Sequence, residues 1–259
     1  MNVSLFFDLH AWLAGALLCM ARLAPVFFML PFLNGGVLTG APRTVVIMLV
    51  GMALWPYTGA DLPALNSLGY LLAVLREGAV GLAIACLLGW PFWVMHAVGN
   101  LIDNQRGAML SNTVDPANGN DTSELANFLQ LMAAALYLQG GGMLLVLETL
   151  AHSYRLCTPD EGCDFQLSAV IDMLDALVVK TILVSAPVVA MLLLSEALLG
   201  LLARFAPQMN AFSVSLTIKS AIAFVVLLLY LGAYIPEEVL RMGQRAWALP
   251  QWLAGPEGD

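Results

Sequence analysis

Six apolar stretches, each near or beyond the roughly 20 residues needed to cross ~30 Å of hydrocarbon, divide this chain from end to end. They lie at about 10–33, 42–58, 68–98, 125–150, 170–203 and 211–236. The polar pieces between them are 34–41, 59–67, 99–124, 151–169 and 204–210, with a tail from Glu237. None of the apolar runs alternates with period two, which disfavours a transmembrane barrel. Leu, Ala, Met and Gly dominate, as packed helices require. The expected fold is all-α: a polytopic membrane protein of about six long, kinked hydrophobic helical segments.

Composition agrees. Hydrophobic residues make up 60% of the 259 and charged residues 11%, with a mean hydropathy of +0.84. Soluble domains carry about 25% charged residues, so a water-soluble globule and a disordered chain are both poor fits. The net charge of −8 argues against binding a phosphate backbone, which needs clustered Lys and Arg; no nucleic acid is expected. Met1 to His10 holds no Lys or Arg, and no small-residue cleavage pattern comes after it, so no removable signal peptide is expected. Counting Arg155, Arg241 and Arg245 against Arg43, Arg106 and Arg204 gives three on each side, and the positive-inside rule is silent.

Helix breakers fall inside the apolar runs: Pro25 and Pro31 in the first, Pro91 in the third, Pro187 in the fifth and Gly140-Gly-Gly142 in the fourth. Proline removes an amide donor and crowds the preceding turn, so these segments are expected to be interrupted or kinked. Gly81, Ala85 and Gly89 form a small-residue stripe at i, i+4, i+8, suited to close backbone approach within the chain or to another subunit.

Charges in the apolar runs need an explanation. Arg22 costs about 2.5–3.5 kcal/mol at a helix centre. Leu13, Leu17, Leu18, Leu23, Val26, Phe27, Phe28 and Leu30 return about 2.4–4.8 kcal/mol together, so the first segment inserts by a narrow margin. Glu77, Glu148, Glu196, Lys180 and Lys219 pose the same question. An ion carrier would use them as a relay; an assembly subunit would use them as ion pairs between subunits. Arg76 and Glu77 are neighbours and point apart on a helix.

The largest polar insertion runs from Asp103 to Glu124. It is rich in Asn, Asp, Ser and Gly, with a turn at Asp115-Pro116, yet it carries Met109, Leu110 and Val114. Ser123 or Thr122 is placed to cap the next helix, with Glu124 at its positive end. Cys19 and Cys86 sit in apolar runs as buried thiols. Cys157 and Cys163 flank a polar stretch, where a small disulfide would form if it faces an oxidising compartment. No metal-ligand cluster and no catalytic signature such as HExxH, GxSxG or GxxxxGK[ST] occurs, so neither cofactor nor enzymatic activity is expected.

The order of certain residues is familiar. Ala186-Pro187, Glu196-Ala-Leu-Leu-Gly200, Arg204-Phe-Ala-Pro-Gln-Met-Asn-Ala-Phe212 and Lys219 resemble the SctT/FliR family of type III secretion and flagellar export proteins. Arg22 before Ala24-Pro25, Glu77 with Gly78 and Gly81, Gly99-Asn-Leu-Ile-Asp-Asn-Gln-Arg-Gly107 and Asp115-Pro116 extend the resemblance from about 10 to 245. It implies one copy in a hetero-oligomer with SctR, SctS and SctU subunits, in the bacterial inner membrane among lipid, passing unfolded secreted proteins. It implies an SctR-like part over 1–169, an SctS-like hairpin over 170–245 and a tail over 246–259. Within the first part, about 103–124 would form a pore plug, with Arg106, Gly107, Met109, Leu110, Asp115 and Pro116 as gating residues. Arg22, Glu77, Glu196, Arg204, Pro207, Gln208, Asn210 and Lys219 would be assembly contacts, and the intramembrane charges would lack partners within their own chain. The alternative is a self-contained small-solute or ion transporter with Glu77, Glu196 and Lys219 around a midplane site.

Overall fold

A computed structural model describes residues 3–34, 39–56, 67–107, 123–157, 167–205 and 211–244. The order is α1 (Val3–Met29), α2 (Ala41–Leu54), α3 (Leu68–Arg106), α4 (Glu124–Gln139), α5 (Gly142–Leu156), α6 (Leu167–Phe205), α7 (Ala211–Ala233) and α8 (Ile235–Gly243). No strand occurs among the described residues. The protein is an all-α, multi-pass membrane protein. Each of the six apolar stretches carries a helix, and the fourth is divided into α4 and α5.

Length separates the helices. Among the described residues, four are long and apolar enough to cross a membrane, or five if α4 and α5 count as one broken span. At 1.5 Å per residue the 14 residues of α2 reach only about 21 Å, short of the ~30 Å hydrocarbon core. α3 and α6 err the other way: each has 39 residues and runs about 58 Å.

Of the two expected outcomes for the prolines, interruption does not occur at three of them. Pro25, Pro91 and Pro187 lie inside continuous α1, α3 and α6, while Pro31 falls in the turn after α1. A single proline forfeits one ladder hydrogen bond, and the many bonds on either side hold the helix. Glycine does break one. Gly141 takes φ 84° between α4 and α5, where its amide donates to Leu138 and its carbonyl accepts from the Leu144 amide at 3.0 Å. Gly107, at φ 81°, ends α3 in the same left-handed conformation.

The chain folds as two compact units, neither of which is one continuous stretch. The first takes residues 1–90, 138–171 and 243–259. Its core gathers Leu18, Leu23 and Phe27 of α1, Ile84 and Leu88 of α3, and Leu150 of α5. Next to α1, Tyr70 donates to the carbonyl of Ala14 at 2.8 Å. The second unit takes residues 91–137 and 172–242. Here Phe92, Met95 and Ile102 of α3 join Ala126 and Leu129 of α4, Leu192 of α6 and Val239 of α8 in the core. Most of the α6–α7 surface is uncovered: 17% of the apolar window of α7 is buried within the chain, against 50% in α1.

Candidate functional site

The polar groups gather in three places. In the first unit Arg22, fully buried on α1, meets Glu77 of α3 side by side. Its Nε donates to one Glu77 carboxylate oxygen at 2.5 Å and its Nη2 to the other at 2.8 Å. Nη1 donates to Ser153 Oγ at 3.2 Å, and Nη2 also reaches the Cys157 carbonyl at 3.1 Å. The Tyr154 ring covers the guanidinium face, 4.1 Å from Cζ to the ring centroid. A planar fork on a carboxylate is the strong form of the ion pair, and these contacts engage four of the five guanidinium N–H groups. Gly81 makes room: a Cβ there would overlap the backbone carbonyl of Arg22. The small-residue stripe therefore serves packing inside the chain at this position. Cys157 is buried and disulfide-bonded; Cys163 lies outside the described residues.

In the second unit, Asp103 joins the two ends of the large polar insertion. Its Oδ1 accepts from Arg106 Nε at 2.7 Å, at the outgoing end. Its Oδ2 accepts from Ser123 Oγ at 2.5 Å and from the Leu125 amide at 3.2 Å, at the returning end. Ser123 Oγ in turn accepts from the Ala126 amide at 3.0 Å, which makes it the expected cap of α4. Gly99 lets the α4 backbone lie directly on α3: a Cβ there would come 2.8 Å from the Leu125 carbonyl carbon. The Arg106 guanidinium sits 5.3 Å from the Phe224 ring centroid on α7.

The third group stitches α6 to α7 and α8. Lys219 pairs with Glu196 at 3.0 Å, and Lys180 pairs with Glu238, which also faces Arg241 at 4.0 Å. Both cross-helix pairs are nearly symmetric about residues 207–209, as an antiparallel course of α6 against α7 and α8 requires.

These contacts overturn the expectation that the intramembrane charges lack partners within the chain. Arg22, Glu77, Glu196, Lys219 and Lys180 are all paired internally, because a charge in an apolar helix is costly until it is matched. Arg204 and Glu148 are both exposed at the surface of their helices. Met109, Leu110, Asp115, Pro116, Pro207, Gln208 and Asn210 lie outside the described residues. Sequence reasoning missed Asp103 as a group that ties elements together, although its i, i+3 spacing to Arg106 was a usable sign. Ser153 and Tyr154 carried no sign at all. No group of three or more His, Cys, Asp or Glu able to hold a metal occurs among the described residues. The three clusters are neutral or nearly so, contain no activated nucleophile, and are built to hold helices in register.

Comparison with known proteins supplies the context. The family model described as "Bacterial export proteins, family 1" matches residues 13–242. The chain is 50% identical over 253 residues to the surface presentation of antigens protein SpaR of Salmonella typhimurium, covering 98% of this chain and 96% of that one. SpaR of Shigella flexneri is 45% identical over 228 residues, 88% of this chain and 89% of its own. The Yop proteins translocation protein T of Yersinia pestis is 30% identical over 230 residues, 82% of this chain and 84% of its own.

Proposed function

The chain belongs to the SctT/FliR family of bacterial export proteins, and from that premise we propose that it is a structural and gating subunit of a type III secretion export apparatus. Its place in an export apparatus, as a non-enzymatic multi-pass component, comes from the family. The finer reading is that it forms, with SctR and SctS and joined by SctU, the inner-membrane entrance pore for unfolded proteins. One copy would serve each complex, with an SctR-like part over 1–169, an SctS-like hairpin over 170–245 and a tail over 246–259.

One observation carries this reading. α3 and α6 are each about twice the length that ~30 Å of hydrocarbon can cover, and the α6–α7 surface stays apolar and unpacked by its own chain. An apolar helix that outruns the bilayer needs other protein to cover it, which suits a subunit of an assembly. The small-solute transporter fares worse. It needs Glu77, Glu196 and Lys219 free around one midplane site, whereas Glu77 is committed to Arg22 and Glu196 to Lys219. In the proposed assembly Glu196, Arg204 and the elbow residues Pro207, Gln208 and Asn210 meet neighbouring subunits. Lys219 holds α7 to α6, which carries Glu196 and Arg204, while Arg22 and Glu77 join α1 to α3.

Gating falls to the segment of about 103–124, with Arg106, Gly107, Met109, Leu110, Asp115 and Pro116 as its gating residues. The mechanism is passive: the segment obstructs the shared pore until a polypeptide displaces it, so the closed state is one side of a two-state equilibrium. Removing residues 106–123 is expected to leave the complex with SctR and SctS intact and to make the membrane leak ions or small solutes. An intact complex with unchanged leakage refutes the gate. Native mass spectrometry that finds this chain stable alone and indifferent to SctR and SctS refutes the assembly.

A further inference from the structure

We propose that Glu196 and Gly200 of α6 form a docking point for a helix of a neighbouring subunit. That helix lays its backbone against Gly200 and hydrogen-bonds Glu196 through a short neutral donor, a serine or threonine hydroxyl. The inference rests on the assembly proposed above and names the chemistry of the partner at one of its surfaces. Along α6 Glu196 is the one charge between Lys180 and Arg204, and Lys219 is the one charge in α7. The two pair at 3.0 Å but are unequally placed: the Lys219 side chain is 10% exposed and the Glu196 side chain 55%. The cation sits inside the hairpin and the carboxylate at its surface. A carboxylate has about four acceptor positions, more than one ammonium fills. The surface around it is leucine, with Leu193, Leu194, Leu198 and Leu201 each more than half exposed.

Charge and size select the occupant. A lipid chain brings no donor and leaves the outer part of the carboxylate unsatisfied in apolar surroundings, which is costly. A second cation is not called for, because the Glu196–Lys219 pair is already neutral and an added positive charge would itself go unmatched. A neutral donor meets both conditions. Gly200 sets its length. It lies four residues after Glu196, so the two share a face of α6, and a Cβ on it would meet nothing within 4 Å. Ala197 is exposed beside them, so the helix surface is low just where the carboxylate stands. Small residues let another helix backbone approach closely, and at that separation a hydroxyl on one carbon spans the gap. Leu193, one turn earlier on the same face, adds apolar contact.

The test reads the share of this chain found in the high-mass complex on native gels, from membranes carrying the complete export apparatus. Wild type is compared with E196Q/K219M, E196L/K219M and Gly200→Leu. Both double variants are charge-balanced, so neither leaves an unmatched ion in the chain, and the unfolding midpoint of each purified chain checks this. E196Q/K219M keeps an acceptor and is expected to assemble within about twofold of wild type. E196L/K219M has none and is expected to lose about fivefold, in the range of a hydrogen bond between membrane helices. Gly200→Leu fills the low surface and is expected to lose at least as much. E196L/K219M assembling like wild type overturns the hydrogen bond and marks the face as one turned to lipid or water. E196Q/K219M losing as much as E196L/K219M shows a cationic partner and overturns the neutral donor. Gly200→Leu assembling like wild type overturns the close approach. If E196L/K219M does not fold, Gly200→Leu decides, since lost assembly with an unchanged midpoint supports the docking point. Wild type recovered only as the free chain removes the assembly reading itself.

Discussion

Replacing Glu77 by Leu would strand the Arg22 guanidinium where no water reaches it, since Arg22 is 0% exposed. Ser153 Oγ, the Cys157 carbonyl and the Tyr154 face would remain around it, but none carries the opposite charge. Removing one partner of a buried ion pair costs about 3–5 kcal/mol, and the loss of both bonds of a bidentate contact puts this variant near the top of that range. Glu77→Gln keeps one acceptor oxygen and belongs near the bottom. The informative variant is the double one. Arg22→Met with Glu77→Leu removes both charges and their desolvation together, and so should return to within about 1–2 kcal/mol of wild type. At 2–4 °C per kcal/mol for a chain of this size, each single variant should lower the unfolding midpoint in mild detergent by about 10 °C, with most of the loss recovered in the double variant. A double variant as unstable as the worse single one would refute the reasoning, because the pair's value would then lie in shape rather than in charge matching.

Two further comparisons use the same assay. Gly81→Ala and Gly99→Ala push a Cβ into backbone of α1 and α4, and should each cost about 1–3 kcal/mol. Gly200→Ala and Gly232→Ala meet nothing within 4 Å and should be neutral or up to about 1 kcal/mol stabilising. Lys180→Met leaves the Glu238 side chain, 4% exposed, with only the distant Arg241, and should cost about 2–3 kcal/mol. Glu196→Gln alters a side chain that is 55% exposed and should cost less than about 1 kcal/mol. Equal losses for these last two would show that burial does not rank the ion pairs.

Local features were the legible ones in the sequence. Apolar runs predict helices because hydropathy and length are read over a single window, and the Ser123 cap was visible because its partner lies three residues away. Arg22 and Glu77 each stood out as charges in need of a match. Their pairing did not, since 55 residues separate them and nothing in one helix states which neighbour it will meet. Ser153 and Tyr154 were invisible for the same reason: a serine and a tyrosine on a half-polar helix are unremarkable until α5 is placed beside Arg22. The prolines left two readings open, interruption or kinking, and Pro25, Pro91 and Pro187 lie inside continuous helices, while the break at Gly141 was correctly marked by its run of glycines.

The span of the Arg22 contacts along the chain also sets an order of events during synthesis. Glu77 comes 55 residues after Arg22 and Cys157 135 residues after it. At roughly 5–20 residues per second, the carboxylate is made about 3–11 s after the arginine, and the carbonyl about 7–27 s after it. The first helix therefore meets the insertion machinery with its cation unmatched and a narrow margin of apolar residues to carry it. Its mature seat becomes available only when α3 arrives, and is complete only after α5. Nascent chains stopped between residues 22 and 77 should accordingly be extracted from the membrane more readily than chains stopped beyond the end of α5.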